Sequence, residues 1–437
     1  MAVHAYKKND NLKFGIRSNL IQFSHQLIQV FFVGMTIGMT RTVIPALAES
    51  EFGVQKNSFL MLMSFVVAFG FVKGAMNFVA GRMSEKQGRK QILLLGWCIA
   101  FPIPVIIYYA NHWYWIVFAT ILLGVNQGFT WSMTQTSKID LTRADQRGLT
   151  VGLNEFAGYS GLALAGVITG HMAVFFGPRM GLLIFGTTVI AVSTLLTMVW
   201  VKETIYWSRS DIKKHDSLAN ANDKNKKKYN TDIPAEPTTL QMFKLMSFKD
   251  KRMAAFSQAG LVEKFVDALI WVFYPLYFYK KGLAVSELAW IVGIYGFVWG
   301  VSQLFTGKLS DHIGRMIPIV SGMWLCGIGT GFMILVDGIL LWSISAAITG
   351  FGMALLYPNL VAAVSDIARP SWRGSAIGIY RFWRDLGYGI GALLLGAIAN
   401  ATGSISSGFV FVSLAMFISG FLVLALAEET HRGSKIP

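Results

Sequence analysis

Charge is what this chain has least of. Only 14% of its 437 residues are Asp, Glu, Lys or Arg, against about 25% in soluble domains, while 54% are hydrophobic and mean hydropathy is +0.52. So little polar surface could not cover a water-exposed globule of this size, so the solvent for most of the chain is lipid. Cysteine is nearly missing too. Cys98 and Cys326 both lie in apolar runs, which excludes a disulfide framework, a CxxC redox pair and a cysteine zinc site. No catalytic triad, phosphate-cradling glycine loop or metal-spaced cluster is found, so the reading is not an enzyme, with no metal and no cofactor. Alternating strand patterning is absent, which argues against a membrane barrel.

What is present is length-matched apolar sequence. Stretches of about 20 residues recur at the length needed to cross a hydrocarbon core of roughly 30 Å. Twelve are expected, at 21–45, 58–80, 91–109, 113–135, 148–170, 180–201, 253–276, 286–306, 317–335, 338–360, 375–397 and 406–427. Each is read as a helix, because backbone polar groups in lipid must be satisfied within the segment. The first apolar run has no small-residue cleavage site, so no removable signal peptide is expected. The insert 202–252, with Lys224, Lys226, Lys227, Lys228, Pro234 and Pro237, reads as a flexible cytoplasmic linker between a bundle at 1–201 and a second at 253–437.

Basic residues fix the expected orientation. With the amino terminus inside, 29 of the 38 Lys and Arg fall in cytoplasmic segments and four (Lys56, Arg179, Lys280, Lys281) fall outside. Both termini are therefore expected in the cytoplasm. The net charge of +15 becomes a topology signal, and no nucleic-acid partner is expected.

An internal repeat sets the architecture. Gly70-Phe71-Val72-Lys73-Gly74 returns as Gly296-Phe297-Val298-Trp299-Gly300, 226 residues later. The same offset relates Gly88 to Gly314, Arg89 to Arg315, Asp140 to Asp366, Arg147-Gly148 to Arg373-Gly374, and Glu203-Thr204 to Glu429-Thr430. The expected fold is all-α: twelve transmembrane helices in two pseudo-symmetric six-helix bundles, with a substrate site between them.

The loop Gly81-Arg82-Met83-Ser84-Glu85-Lys86-Gln87-Gly88-Arg89-Lys90 resembles the signature loop of the major facilitator superfamily, and Gly307-Lys308-Leu309-Ser310-Asp311-His312-Ile313-Gly314-Arg315 repeats it. The resemblance covers essentially the whole chain. It implies secondary transport by rocking of two halves, usually proton-driven, with segments 1, 4, 7 and 10 lining the cavity. Glu85 and Arg89, four apart, can pair. An acid at this place can also face the amino-terminal end of segment 11, a contact that in the family latches the cytoplasmic side. Asp140 and Asp366 are candidate partners for Arg89 and Arg315, with Asp311 as the second copy of Glu85. Proton-driven exporters of the superfamily carry G-P-x-x-G-G in segment 5. Here Gly161-Leu162-Ala163-Leu164-Ala165-Gly166 has Leu162 in place of the proline.

Charges inside the spans mark the candidate site, since each costs roughly 2.5–3.5 kcal/mol at a helix centre. Glu263 and Asp267 lie four apart on a face that Trp271 and Tyr274 extend; two like charges so placed can hold a proton, unless Lys264 neutralises them. Arg381 and Asp385 are four apart, leaving Arg384 unbalanced, while Lys73 on segment 2 could meet Asp385 in a gate. Glu155 occupies the repeat position of Arg381. Proton-coupling candidates are thus Glu263, Asp267, Glu155 and Asp385. Cavity candidates are Gln26, Gln29, Arg41, Gln127, Trp131, Trp271, Tyr274, Tyr357, Asn359 and Arg381. Gating candidates are Lys73, Glu85, Arg89, Asp140, Asp311, Arg315, Asp366 and Arg384.

The expected function is a proton-coupled carrier working by alternating access, a monomer in a bacterial inner membrane that exports a small amphipathic drug or metabolite. The rival is a proton symporter importing an organic anion or nutrient, attracted by Arg41, Lys73, Arg381 and Arg384. A non-transporting membrane sensor or scaffold is the alternative of another class. Small-molecule substrate, protons and the lipid bilayer are the expected partners, and the proton gradient is the energy source.

Overall fold

The computed structural model describes residues 12–52, 59–210, 238–283 and 285–431; nearly all of them are helical, and no strand occurs among them. Six long helices occupy the first half: α1 (Leu20–Ser50), α2 (Phe59–Gln87), α3 (Arg89–Tyr109), α4 (Trp113–Leu141), α5 (Arg147–Phe176) and α6 (Pro178–Val199). The second half holds α7 (Lys251–Ala268, a π turn Leu269–Phe273, then Tyr274–Lys280), α8 (Val285–Ile313), α9 (Met316–Met333), α10 (Ile339–Ile367), α11 (Arg373–Thr402) and α12 (Ser406–Leu426). Among the described residues nine helices, α1–α6, α9, α10 and α12, are long and apolar enough to cross a membrane by composition alone. Of the other three, α7 and α11 carry buried charge.

Local chemistry explains the irregular points. Pro102 breaks α3 after Ala100, since its ring cannot donate into the preceding turn. Pro358 inside α10 likewise leaves the carbonyl of Ala354 without its helical donor, and the Thr306 hydroxyl of α8 supplies one at 2.6 Å. Large apolar side chains such as Val174, Phe175, Leu195, Leu335 and Leu340 point outward, the inverse of a soluble protein and the natural arrangement against lipid.

Two helix pairs carry most of the contact between the halves, α2 with α11 and α5 with α8. Their approach is close because glycine faces glycine. A Cβ on Gly148 would collide with the Gly307 carbonyl, one on Gly307 with the Gly148 carbonyl, and one on Gly81 with the Gly374 carbonyl. These contacts lie toward the end of the bundle that holds Lys13 and His431, called here the near end: Trp207 Nε1 donates to the Lys13 carbonyl, and the His431 ring lies 3.1 Å from the Asp311 carbonyl.

Helix ends and the insert depart from expectation: α2 runs to Gln87, α8 to Ile313 and α10 to Ile367 rather than to 80, 306 and 360. α4 runs to Leu141 rather than stopping near 135, because neighbouring helices bury its last turns; Lys138 and Asp140 are both shielded from solvent. The insert expected as a flexible linker over 202–252 is docked at both ends. Ser208 donates to the Pro370 carbonyl. A short helix, Thr239–Lys244, is closed by a capping box between Thr238 and Gln241 and continues as a π turn through Lys249, burying Met242 and Met246. The lysine cluster at 224–228, Pro234 and Pro237 lie outside the described residues.

Candidate functional site

At the near end the same small machine occurs twice. Gly88 and Gly314 start α3 and α9 from positive φ (98° and 97°), and a Cβ on either would strike the carboxylate of Glu203 or Glu429. Those carboxylates cap the helices: Glu203 accepts from the backbone N–H groups of Arg89 and Lys90 at 2.8 and 3.0 Å, Glu429 from those of Arg315 and Met316 at 2.8 and 3.0 Å. The arginine side chains then turn inward, Arg89 Nε to Asp140 and Arg315 Nε to Asp366, both at 3.0 Å.

The acids of the two loops reach across the seam. Glu85 accepts from the Ser375 N–H at 2.8 Å and its hydroxyl at 2.7 Å, at the start of α11. Asp311 accepts from the N–H groups of Gly148 and Leu149 at 2.9 Å, at the start of α5. Arg147 adds a bond from α5 to Asp366 at 2.7 Å. The expected Glu85–Arg89 pair is not formed. Ser375 and Arg82 (3.1 Å) occupy the oxygens of Glu85. In the second copy Ser375 is replaced by Leu149, which has no hydroxyl, and Asp311 does pair with Arg315, at 2.7 Å.

The second centre lies inward of these loops: Arg381 and Glu155 are each eight residues into their helices, about 12 Å along the axis at 1.5 Å per residue. Lys73 Nζ lies 3.4 Å from Asp385, which also pairs with Arg384 at 2.9 Å and accepts from Asn77 at 2.7 Å. Arg384, not Arg381, is therefore the partner of Asp385. Arg381 donates instead to Gln135 at 2.8 Å, and its Nε and Nη2 have no hydrogen-bond partner among the described residues. The i, i+4 spacing that suggested the Arg381–Asp385 pair loses to a cross-helix acceptor.

Glu155 concentrates three bonds on one oxygen: Trp131 Nε1, Gln135 Nε2 and Asn154 Nδ2 donate to Oε1 at 3.0, 3.0 and 2.9 Å, leaving Oε2 unpartnered. Lys138, one turn below Gln135, donates to the Gln26 carbonyl at 2.9 Å, while the Gln26 amide itself has no partner. Lys138 was not among the candidates. The expected apolar span stops at 135, three residues before it, while the helix continues to Leu141.

On α7 the two acids do not face each other bare. Lys264 Nζ lies 3.1 Å from Glu263 and 2.6 Å from Asp267, and Asp267 also accepts from the hydroxyls of Tyr295 (3.1 Å) and Tyr388 (3.0 Å). The expected like-charge pair is thus a bridged triad. Its lysine is caged over the rings of Tyr357 and Tyr388, 4.3 and 4.9 Å from their centroids. Arg384 covers the same Tyr357 ring at 4.5 Å.

The cavity candidates separate. Trp131 and Tyr357 stay at the centre, both packed on Tyr159, whose ring lies 4.2 Å from that of Trp299. Trp271 stacks on Tyr388 at 5.4 Å. Tyr274 leaves the face: the π turn Leu269–Phe273 inserts an extra residue, and the ring packs on Phe278 and Phe409. Gln29 is tied between α1, α3 and α6 by Trp97, Ser193 and Thr197. Gln127 binds α1 through Val33 and Thr36, and Asn359 donates to the Leu355 carbonyl of its own helix. Gln29 and Gln127 are helix fasteners, whereas Asn359 bonds only within α10. The side chain of Arg41 lies outside the described residues.

Lys73, Lys138, Lys264, Arg381 and Arg384 thus outnumber Glu155, Glu263, Asp267 and Asp385 by one in the buried cluster. A model of the Major Facilitator Superfamily matches residues 27–255 and again 256–437. An uncharacterized MFS-type transporter of Pseudomonas aeruginosa is 32% identical over 174 residues, 38% of this chain; the chain spans 39% of that relative's length. The proton-coupled antiporter flippase LtaA of Staphylococcus aureus is 25% identical over 357 residues, 80% of each protein. The solved proton:xylose symporter XylE superposes with a TM-score of 0.72 at 16% identity, over 94% of this chain and 97% of that one, and so shares the fold.

Proposed function

This chain belongs to the major facilitator superfamily, and from that premise we propose that it is a proton-coupled transporter carrying a small amphipathic organic anion by alternating access. The free edge of Arg381 carries the reading. A wholly buried guanidinium with two unpartnered nitrogens, in a cluster holding one cation in excess, calls for an anionic ligand. Tyr159, Trp299 and Tyr357 offer aromatic faces to the apolar part of such a solute.

Glu155 is the proposed proton carrier. Asp267, Glu263 and Asp385 each contact a cation, whereas every hydrogen bond to Glu155 comes from a neutral donor. Its free oxygen can take a proton without breaking an ion pair. The near-end loops act as the gate. We place the chain as a monomer in a bacterial cytoplasmic membrane with both termini inside and 202–252 joining the halves, a placement supported by the basic bias and the bacterial relatives.

A second reading is export by proton antiport, favoured by the antiporter name of LtaA. Both are tested in proteoliposomes with 1-naphthalenesulfonate, which stays ionised at every pH used and does not cross lipid unaided. Accumulation driven by a pH gradient, and lost in Arg381→Gln, is the expected result. The direction of accumulation relative to the proton gradient separates symport from antiport. Transport of lipophilic cations, insensitive to Arg381→Gln, with sulfonates and carboxylates inert, would overturn the anion assignment.

A further inference from the structure

Glu155 and Arg381 occupy equivalent positions in the two halves, 226 residues apart, and carry opposite charge in one buried cluster, yet they are not paired. Gln135 stands between them. Its Nε2 donates to Glu155 Oε1 at 3.0 Å, and its Oε1 accepts from Arg381 Nη1 at 2.8 Å. A buried carboxylate and guanidinium within one side chain's reach ordinarily close into a bidentate pair. The amide blocks that closure by occupying one oxygen of the acid and one nitrogen of the base. Glu155 Oε2 and Arg381 Nε and Nη2 are left over, all buried.

We propose that Gln135 is the positioning residue that couples proton to anion, by holding Glu155 and Arg381 close enough to sense each other and too far apart to neutralise each other. The inference rests on the assignment of Arg381 to the anion and Glu155 to the proton. The charged and titratable groups acting on Glu155 are Lys138 on its α4 side, Arg381 and Arg384 from α11 and Tyr357 from α10. Trp131, Gln135 and Asn154 are its neutral donors. An anion seated on Arg381 cancels part of the positive field from α11, and the carboxylate then accepts a proton on Oε2. Linkage makes the effect reciprocal: a proton on Glu155 removes a negative charge that competes with the anion for Arg381. Without the spacer, one direct ion pair would satisfy both groups and neither ligand would be needed.

The seam geometry adds a second consequence. Gln135 and Glu155 belong to the first half and Arg381 to the second, so the 2.8 Å bond must break when the halves separate at the near end. The proton and anion sites are therefore in communication while that end is closed, and out of it when it opens.

The test is Gln135→Met, which keeps length and removes both hydrogen bonds, with the full chain in detergent. Calorimetric titration of 1-naphthalenesulfonate in two buffers of different ionisation enthalpy reads the protons taken up per anion. Wild type should take up protons as the anion binds, and its affinity should rise as the pH is lowered. Gln135→Met should bind at least tenfold more weakly with no proton uptake. Gln135→Asn, one methylene shorter, is expected to lose proton uptake too and serves if Gln135→Met does not fold.

A ligand-free measurement runs beside it, a thermal-stability cycle of Glu155→Gln and Arg381→Gln. The two substitutions should be coupled several degrees more strongly in the Gln135→Met background than in wild type, because a direct pair has formed there. Equal coupling in both backgrounds, with proton uptake intact in Gln135→Met, would overturn the proposal. Failure of wild type to bind any aryl sulfonate or carboxylate would overturn the anion assignment and the coupling built on it, while the cycle would still show whether Gln135 separates the pair.

Discussion

Removing Lys73 and removing Asp385 should have unequal costs, and the inequality can be worked from the distances. The ammonium lies 3.4 Å from the carboxylate, both side chains 5% exposed or less. At an effective dielectric of about 20, a pair at that separation attracts by about 5 kcal/mol before desolvation is counted. Asp385 has two further partners, Arg384 at 2.9 Å and Asn77 at 2.7 Å. Lys73→Met therefore leaves the carboxylate held, and should cost about 1–2 kcal/mol, toward the lower end for loss of a buried ionic partner. Asp385→Asn leaves Lys73 and Arg384 facing each other beside Arg381 and Lys264, and should cost about 3–5 kcal/mol. Adding Lys73→Met to Asp385→Asn removes one of the stranded cations, so the double variant should be more stable than Asp385→Asn alone by about 1–2 kcal/mol. Thermal melts of the purified protein read the order, at roughly 2 °C per kcal/mol for a chain of this size. Additive losses would mean that the two groups do not interact, and the pairing read across α2 and α11 would fall.

Three further outcomes follow from the near end. Gly148→Val puts a branched side chain where the Gly307 carbonyl already sits, so the closed near end should be lost; spin-label distances between the near ends of α5 and α8 should lengthen, and unchanged distances with normal transport would sink the reading. Gly88→Ala must take a positive φ and displace Glu203, at a cost of roughly 2 kcal/mol or more, and Gly314→Ala should match it against Glu429; a melt shifted by less than a degree in either would count against the paired caps. Glu203→Gln removes the charge from the α3 cap and should cost about 1 kcal/mol without moving the Arg89–Asp140 bond, whereas a cost shared equally with Asp140→Asn would mean that the network acts as one unit.

Much of the fold was legible because lipid enforces it. Span length and the basic bias are consequences of a solvent that leaves few options, and the 226-residue offset is a repeat visible in the residues themselves. The partners of Arg89 and Arg315, and the acid facing the start of α11, followed from the resemblance to the superfamily's loop and from a helix dipole, whereas the four-residue spacing of Glu85 and Arg89 suggested a pair that does not form. What was illegible was the choice among nearby partners. The spacing of Arg381 and Asp385 allowed a pair, but the adjacent Arg384 is the one that forms it. Lys264, adjacent to Glu263 and three residues from Asp267, bridges both acids, as its position in the sequence allows. Tyr274 failed because a π turn cannot be seen in a stripe of aromatic residues, and Lys138 because hydropathy ends a helix where polarity begins while burial by neighbours does not. Gln29 and Gln127 failed for a general reason: an amide inside a bundle satisfies a neighbouring helix as readily as a ligand.

The division between what repeats and what does not has a physical basis. At the near end the halves must present matched surfaces, since the two seams, α2 with α11 and α5 with α8, close together. Gly88 and Gly314, Arg89 and Arg315, Asp140 and Asp366, Glu203 and Glu429 are accordingly duplicated residue for residue. A ligand lying between the halves has no such two-fold symmetry, and the residues around it have diverged at the same offset: Lys73 against Trp299, Glu155 against Arg381, Tyr159 against Asp385, Lys138 against Val364. Divergence of this kind puts an acid on one half and a base on the other, the arrangement that the proposed proton and anion sites require. Gln135 belongs to the diverged set, since its counterpart is Val361, which can bridge nothing. The amide spacer therefore exists on one side only, where the acid is.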